Sequence, residues 1–172
     1  PELQLINPDL NDDLLAVIEA ADLDSEQEQK LERDLGRQYH ILTRDDRLDT
    51  IAQDIVSHYL GRGYSGEAMV ISIDKPTTLR MYDKVHRLWI AETERVRQLV
   101  ASGDASEETR QRLQVLETSD MAVVVSAAQN EQGEMAAQGL DITPHRKRLV
   151  ESNPSLDEQF KDPENPLRLV FV

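Results

Sequence analysis

Four side chains of different chemistry fall together at Ser72, Asp74, Lys75 and Thr77, directly after and overlapping the apolar run Met69-Val70-Ile71-Ser72-Ile73. Two hydroxyls, a carboxylate and an ammonium in six positions can hold a polar ligand. Another hydroxyl, Ser126, closes a second apolar run, Met121 to Val125. The densest cation cluster is His145-Arg146-Lys147-Arg148. A turn at Asp74-Lys75-Pro76 followed by a helical period reads as a buried strand feeding a helix through a short polar loop. In open α/β sheets ligands are met at the carboxyl ends of strands, which is where Ser72, Asp74, Lys75 and Thr77 fall.

Bond-making chemistry finds less support. The histidines, His40, His58, His86 and His145, are far apart in sequence and there is no Cys, so no pair stands at metal-ligand spacing and no disulfide or thiolate is available. There is no nucleophile elbow and no Walker A loop. Gly61-Arg-Gly63-Tyr-Ser-Gly66 matches the dinucleotide-binding spacing. It has a helix before it and a strand after it, the reverse of the order that aims a helix N-terminus at a pyrophosphate. It reads as a helix stop and a turn. The expectation is a chain with no catalytic, cofactor or metal residues of its own, which is not a complete enzyme.

Stepping outward, 172 residues are enough for one domain with a core. No apolar run approaches the ~20 residues that span a bilayer, and Pro1-Glu2-Leu3 does not resemble a signal peptide. A cytoplasmic protein is expected. The formal net charge is −14 and is uneven: residues up to Leu60 carry 5 Lys and Arg against 15 Asp and Glu, the rest 14 against 18. This acidity argues against strong independent binding to nucleic acid or anionic membrane, and leaves room for a local basic face in the second half.

The elements expected to position these residues follow in order. Pro1 to Asp9 is an extended lead-in and Asn11 to Asp22 an amphipathic helix. Ser25-x-x-Glu28 is a capping box opening a helix to about Leu35. Thr43-x-x-Asp46 starts a helix with Leu48, Ile51, Ala52, Ile55 and Tyr59 on one face. After the central strand, Met81, Val85, Leu88 and Trp89 share a helix side. The charged stretch from Ile90 to Thr118 reads as a hairpin standing off the sheet with little core burial. A short helix through Glu134 and Met135 stops at Gly139, Ser155-x-x-Glu158 caps another ending near Phe160, and Leu167 to Val172 is a third strand. An ending inside an apolar strand suggests a piece of a longer protein. The class is α/β.

Several stretches resemble the R subunit of type I restriction enzymes, the ATP-dependent DNA-translocating subunit. They are YHILTRDDRLDTIAQDIVSHYLGRG, AMVISIDKPTTLRMYDKV, MAVVVSAAQNE, GLDITPHRKRLV and FKDPENPLRLVFV, in the family's order. The resemblance implies an acidic helical lead-in over 1–42 and, over 43–172, part of the second RecA-like motor lobe, an incomplete parallel sheet with an inserted hairpin at about 90–118. AMVISIDK is similar to helicase motif IV, and LRLVFV to the strand leading into motif V. ATP and Mg would belong to the parent subunit rather than to this part. The implied partners are double-stranded DNA and the methyltransferase and specificity subunits, with no membrane.

Carried onto this chain, Ser72, Lys75 and Thr77 occupy the motif IV loop and Ser126 ends the next strand. Hydroxyls, an ammonium and helix N-terminal amides suit phosphate contacts, which position DNA without reading its sequence. Asp74 would repel phosphate, and either caps the helix or holds Lys75. Arg146, Lys147 and Arg148 are a candidate phosphate patch, or else a solvated basic turn balancing Glu151, Asp157 and Glu158. A second reading makes the chain an interaction module, docked through its acidic helices and hairpin with no direct DNA role.

Overall fold

The computed structural model describes residues 25–62, 66–103 and 105–172. The expected lead-in and the Asn11–Asp22 helix lie outside the described residues, as do the side chains of the Ser25–Glu28 box. The elements run α1 (Ser25–Leu42), α2 (Asp45–Gly61), β1 (Ala68–Val70), α3 (Lys75–Ala101), α4 (Glu107–Thr118), β2 (Asp120–Val123), α5 (Glu131–Ala137), α6 (Thr143–Glu151), α7 (Leu156–Lys161) and β3 (Leu167–Phe171). Strands β1 and β2 both pair in parallel with β3, giving the order β1-β3-β2. This small parallel sheet in a helix-rich chain is an α/β arrangement. Among the described residues no helix is long and apolar enough to cross a membrane.

Parallel strands buried on both faces need apolar residues at nearly every position, and β3 supplies them. Leu169 and Phe171 join the larger core with α2, α3, α4 and Met135 of α5. Val170 and Val172 join a smaller core with Leu156 and Phe160 of α7 and Leu149 of α6. The register slips between Asp120 and Met121, and below the slip Leu167 falls in the smaller core. All three strands therefore deliver their carboxyl ends to one side of the sheet.

Three boundaries differ from the sequence expectation. α1 runs through Gly36 to Leu42 rather than stopping near Leu35. Gly36 lowers helix propensity, but Tyr39, beyond it, has a partner elsewhere in the fold that anchors the added turns. β1 is shorter than Met69–Ile73, and Ile71 is 71 % exposed. Single ladder bonds still continue past it, Val172 N–H to Val70 O and Ser72 N–H to Val172 O, each 2.9 Å. Finally, the hairpin formed by the far half of α3 with α4 contributes to the core. Val96 and Leu116 are 1 % and 3 % exposed, and the Trp89 indole N–H donates to Leu116 O at 2.9 Å. The charge-rich sequence concealed this because one buried residue every turn or two suffices when the partner is a single helix.

Of the expected α2 face, Leu48, Ala52 and Tyr59 are buried and Ile51 and Ile55 pack beside them; Val56, not expected there, is buried as well. Tyr59 meets Trp89 edge-on at 5.5 Å between ring centroids, a geometry that the ring quadrupoles favour. Lys84 of α3 is buried between Asp45 at 2.8 Å and Asp49 at 2.6 Å, joining the start of α2 to the middle of α3. At Ser155 both halves of the expected capping box form, and Gly139 closes α5 with φ 73°. There its N–H reaches Ala136 O, and Leu140 N–H reaches Met135 O. A left-handed residue is what such a helix end requires. The Gly61 turn lies between α2 and β1, helix before and strand after.

Candidate functional site

At the end of β1 the chain turns at Asp74, which caps α3. Its Oδ1 accepts the Thr77 N–H at 2.8 Å, and its backbone carbonyl accepts the Thr78 N–H and hydroxyl. Pro76 sits in the first turn, where its missing N–H costs nothing and its fixed φ suits the helix. The other carboxylate oxygen accepts the Tyr39 hydroxyl of α1 at 2.5 Å. Of the two roles open to Asp74 from sequence, the helix cap is the one that forms.

Lys75 pairs instead with Glu131 of α5, Nζ to Oε2 at 3.5 Å, and both side chains are largely buried. Glu131 is the hub on the β2 side. Arg146 of α6 donates to both of its oxygens, one at 2.6 Å, and the Ala128 N–H adds a bond at 3.1 Å. Those hydrogen bonds from Arg146 are the first cause holding the Glu131 carboxyl below its ordinary range, and burial opposes them. Arg146 also donates to the carbonyls of Val125, at 2.5 Å, and Ser126. One guanidinium thus fixes the exit of β2, the start of α5 and, through Glu131, the loop after β1.

Three hydroxyl oxygens in this region, on Ser72, Thr77 and Ser126, are buried and have no hydrogen-bond partner among the described residues. Thr77 is 4 % exposed and lies in the first turn of α3, which runs for 27 residues. A buried hydroxyl left unpaired costs about 1–3 kcal/mol, so three in one neighbourhood call for an explanation. Ser72 and Ser126 follow the two strands that flank β3. Strand spacing puts those exits roughly 10 Å apart. Lys75 adds an ammonium with three donors.

The candidate phosphate patch divides on inspection. His145, Arg146, Lys147 and Arg148 lie within α6 rather than in a turn, and successive helical residues point about 100° apart. Arg146 faces the β2 exit. Arg148 faces the β2 entry, donating to Met121 O at 2.8 Å and pairing with Asp120. Lys147 is exposed and has no ion-pair or hydrogen-bond partner among the described residues. His145 is half-buried against the edge of Tyr82, centroids 4.7 Å apart, and burial is the first cause lowering its pKa.

The structure thus gathers Ser72, Lys75, Thr77 and Ser126 at one end of the sheet, adds Arg146 as an internal brace, and leaves Lys147 and Arg148 elsewhere on α6. Sequence reasoning missed Tyr39 and Glu131. Neither carries a local motif; each is recruited by a partner distant in sequence. The described residues hold no cluster of three or more His, Cys, Asp or Glu able to hold a metal. A recess lined by Val56, Leu88, Ala91, Glu92, Arg95 and Arg112 lies among α2, α3 and α4 and shares no residue with the strand exits. No family model matches the chain, and neither does any curated protein or solved structure.

Proposed function

We propose that this chain is part of the ATP-dependent DNA-translocating R subunit of a type I restriction enzyme. In this reading it covers the approach to, and first part of, the second RecA-like motor lobe and contacts the DNA backbone through the strand exits. The observation that carries the reading is the trio of buried, unpartnered hydroxyls at Ser72 and Thr77, which flank Lys75 in sequence, and at Ser126 after β2. The resemblance puts Ser72, Lys75 and Thr77 in the motif IV loop and Ser126 at the end of the next strand, all as candidate phosphate contacts. Hydroxyl and ammonium donors bind phosphate oxygens without selecting bases, as a translocase requires, while the Thr77 and Thr78 amides are already taken by Asp74. The parallel sheet is compatible with the reading. The part supplies contacts and lobe packing, and the ATP, Mg and cleavage chemistry belong to the whole subunit.

A competition assay on the chain at low salt, with duplex DNAs of unrelated sequence, tests this. The expected result is weak, sequence-independent binding that falls with salt, with Lys75→Ala lowering the slope of log K against log salt by about one. Absence of binding, or binding indifferent to Lys75→Ala, would favour the second reading. That reading is a docking module for other domains or the methyltransferase core, and the exposed Ile90 and Leu99 on α3 favour it.

A further inference from the structure

The pairing of Lys75 with Glu131 is loose on one side and tight on the other. Charge-assisted N–H···O bonds close to about 2.7–2.9 Å, yet Lys75 Nζ stands 3.5 Å from Glu131 Oε2 and makes no other ion pair or hydrogen bond among the described residues. Arg146, in contrast, engages both Glu131 oxygens and is itself braced by Val125 O and Ser126 O. Glu131 is 8 % exposed and remains neutralised by Arg146 if Lys75 leaves. Lys75 is therefore the exchangeable partner, and it lies between the unpartnered hydroxyls of Ser72 and Thr77 in sequence.

We propose that Glu131 withholds Lys75 from the strand exits, and that phosphate capture there is an exchange in which the ammonium passes from Glu131 to a phosphate oxygen while Arg146 keeps the carboxylate in place. This rests on the phosphate-binding reading above and adds its regulation. Glu131 becomes a positioning residue that sets how readily the site takes an anion. Nothing covalent changes; one ion pair is exchanged for another.

A double-mutant cycle on the chain, with duplex DNA as the probe and inorganic phosphate as competitor, tests the exchange. Glu131→Gln keeps the shape and an acceptor for Arg146 but removes the competing charge. At low salt it should bind duplex DNA roughly five-fold more tightly, the order expected for one screened charge near 4 Å. Lys75→Ala should weaken binding, and Lys75→Ala with Glu131→Gln together should lose the gain. If the gain survives in the double variant, it comes from overall charge and the exchange is wrong. If Lys75→Ala weakens binding while Glu131→Gln leaves it unchanged or looser, the site binds phosphate but Glu131 does not withhold the lysine. If neither variant moves binding, the phosphate-binding reading itself falls. Circular dichroism establishes that each variant is folded. Should Glu131→Gln unfold, Glu131→Asp retains a charge for Arg146 and draws it back from Lys75, and the same tightening is expected.

Discussion

The Tyr39 hydroxyl donates to Asp74 Oδ2 at 2.5 Å, joining α1 to the N-cap of α3. Apart from half-buried Leu35 and Tyr39, the described side chains of α1 are exposed. Burial first, and then the Asp74 carboxylate, push the Tyr39 phenol up to about 12.

That shift sets an alkaline limit. A phenol whose folded pKa is raised contributes stability that is complete below its unfolded value near 10 and is lost as pH climbs to about 12. Thermal unfolding across this window should show a falling limb that Tyr39→Phe makes shallower, the rest coming from Tyr59 and Tyr82, whose phenols burial also pushes up. At neutral pH Tyr39→Phe should cost about 1.5–3 kcal/mol, the worth of a hydrogen bond to a charged acceptor.

Glu131 sets a limit at the acid end. Its carboxyl is held low, chiefly by Arg146, so its contribution is full above the unfolded glutamate value and disappears as pH falls through the lower folded one. Chemical denaturation between about pH 5 and 3 should find Glu131→Gln losing less stability on acidification than the parent chain.

The hairpin belongs to the core at its base. Leu116→Ala should destabilise the fold by about 2–4 kcal/mol. Leu99→Ser, at a position nearly half exposed farther along α3, should stay within about 0.5 kcal/mol. Equal, negligible effects in urea titrations would show that the hairpin stands free of the core.

The α6 cations should separate in the same measurement. Arg146→Ala removes the brace of the β2 exit and leaves Glu131 buried without its main partner, a loss of about 3 kcal/mol. Lys147→Ala should leave stability unchanged, and Arg148→Ala should cost about 1 kcal/mol because its pair with Asp120 is partly solvated. If α6 also lies on the DNA track, only Lys147→Ala will lower the salt slope without touching the fold.

What could be read in advance was local. Ser155 and Glu158 signalled a cap through their spacing, Asp74-Lys75-Pro76 a helix start, and Met121–Val125 a buried strand, because each depends on neighbours a few residues away. The α/β class followed from those pieces. The partners of Asp74, Lys75 and Arg146 were not legible. Tyr39 is 35 residues from Asp74, and Arg146 is 21 from Val125. A run of cations suggested an outward patch, whereas helical rotation turned two of the three toward β2. Val96 and Leu116 escaped notice among charges, since only the arrival of the partner helix makes either one interior.

α3 runs as one helix from Lys75 to Ala101. It is buried along one side, by Thr78 and Leu79 near its start, Met81, Val85 and Trp89 in its middle and Val96 farther on, and exposed at Ile90 and Leu99 on the other. Its first turn is set by the Asp74 cap, and its last turn lies about 40 Å away. A helix packed along one side moves as a unit. A tilt of about 10° about Val85 carries Ala101 sideways by about 4 Å. An ångström-scale adjustment of its first turn would therefore be carried along the packed side to the hairpin's tip.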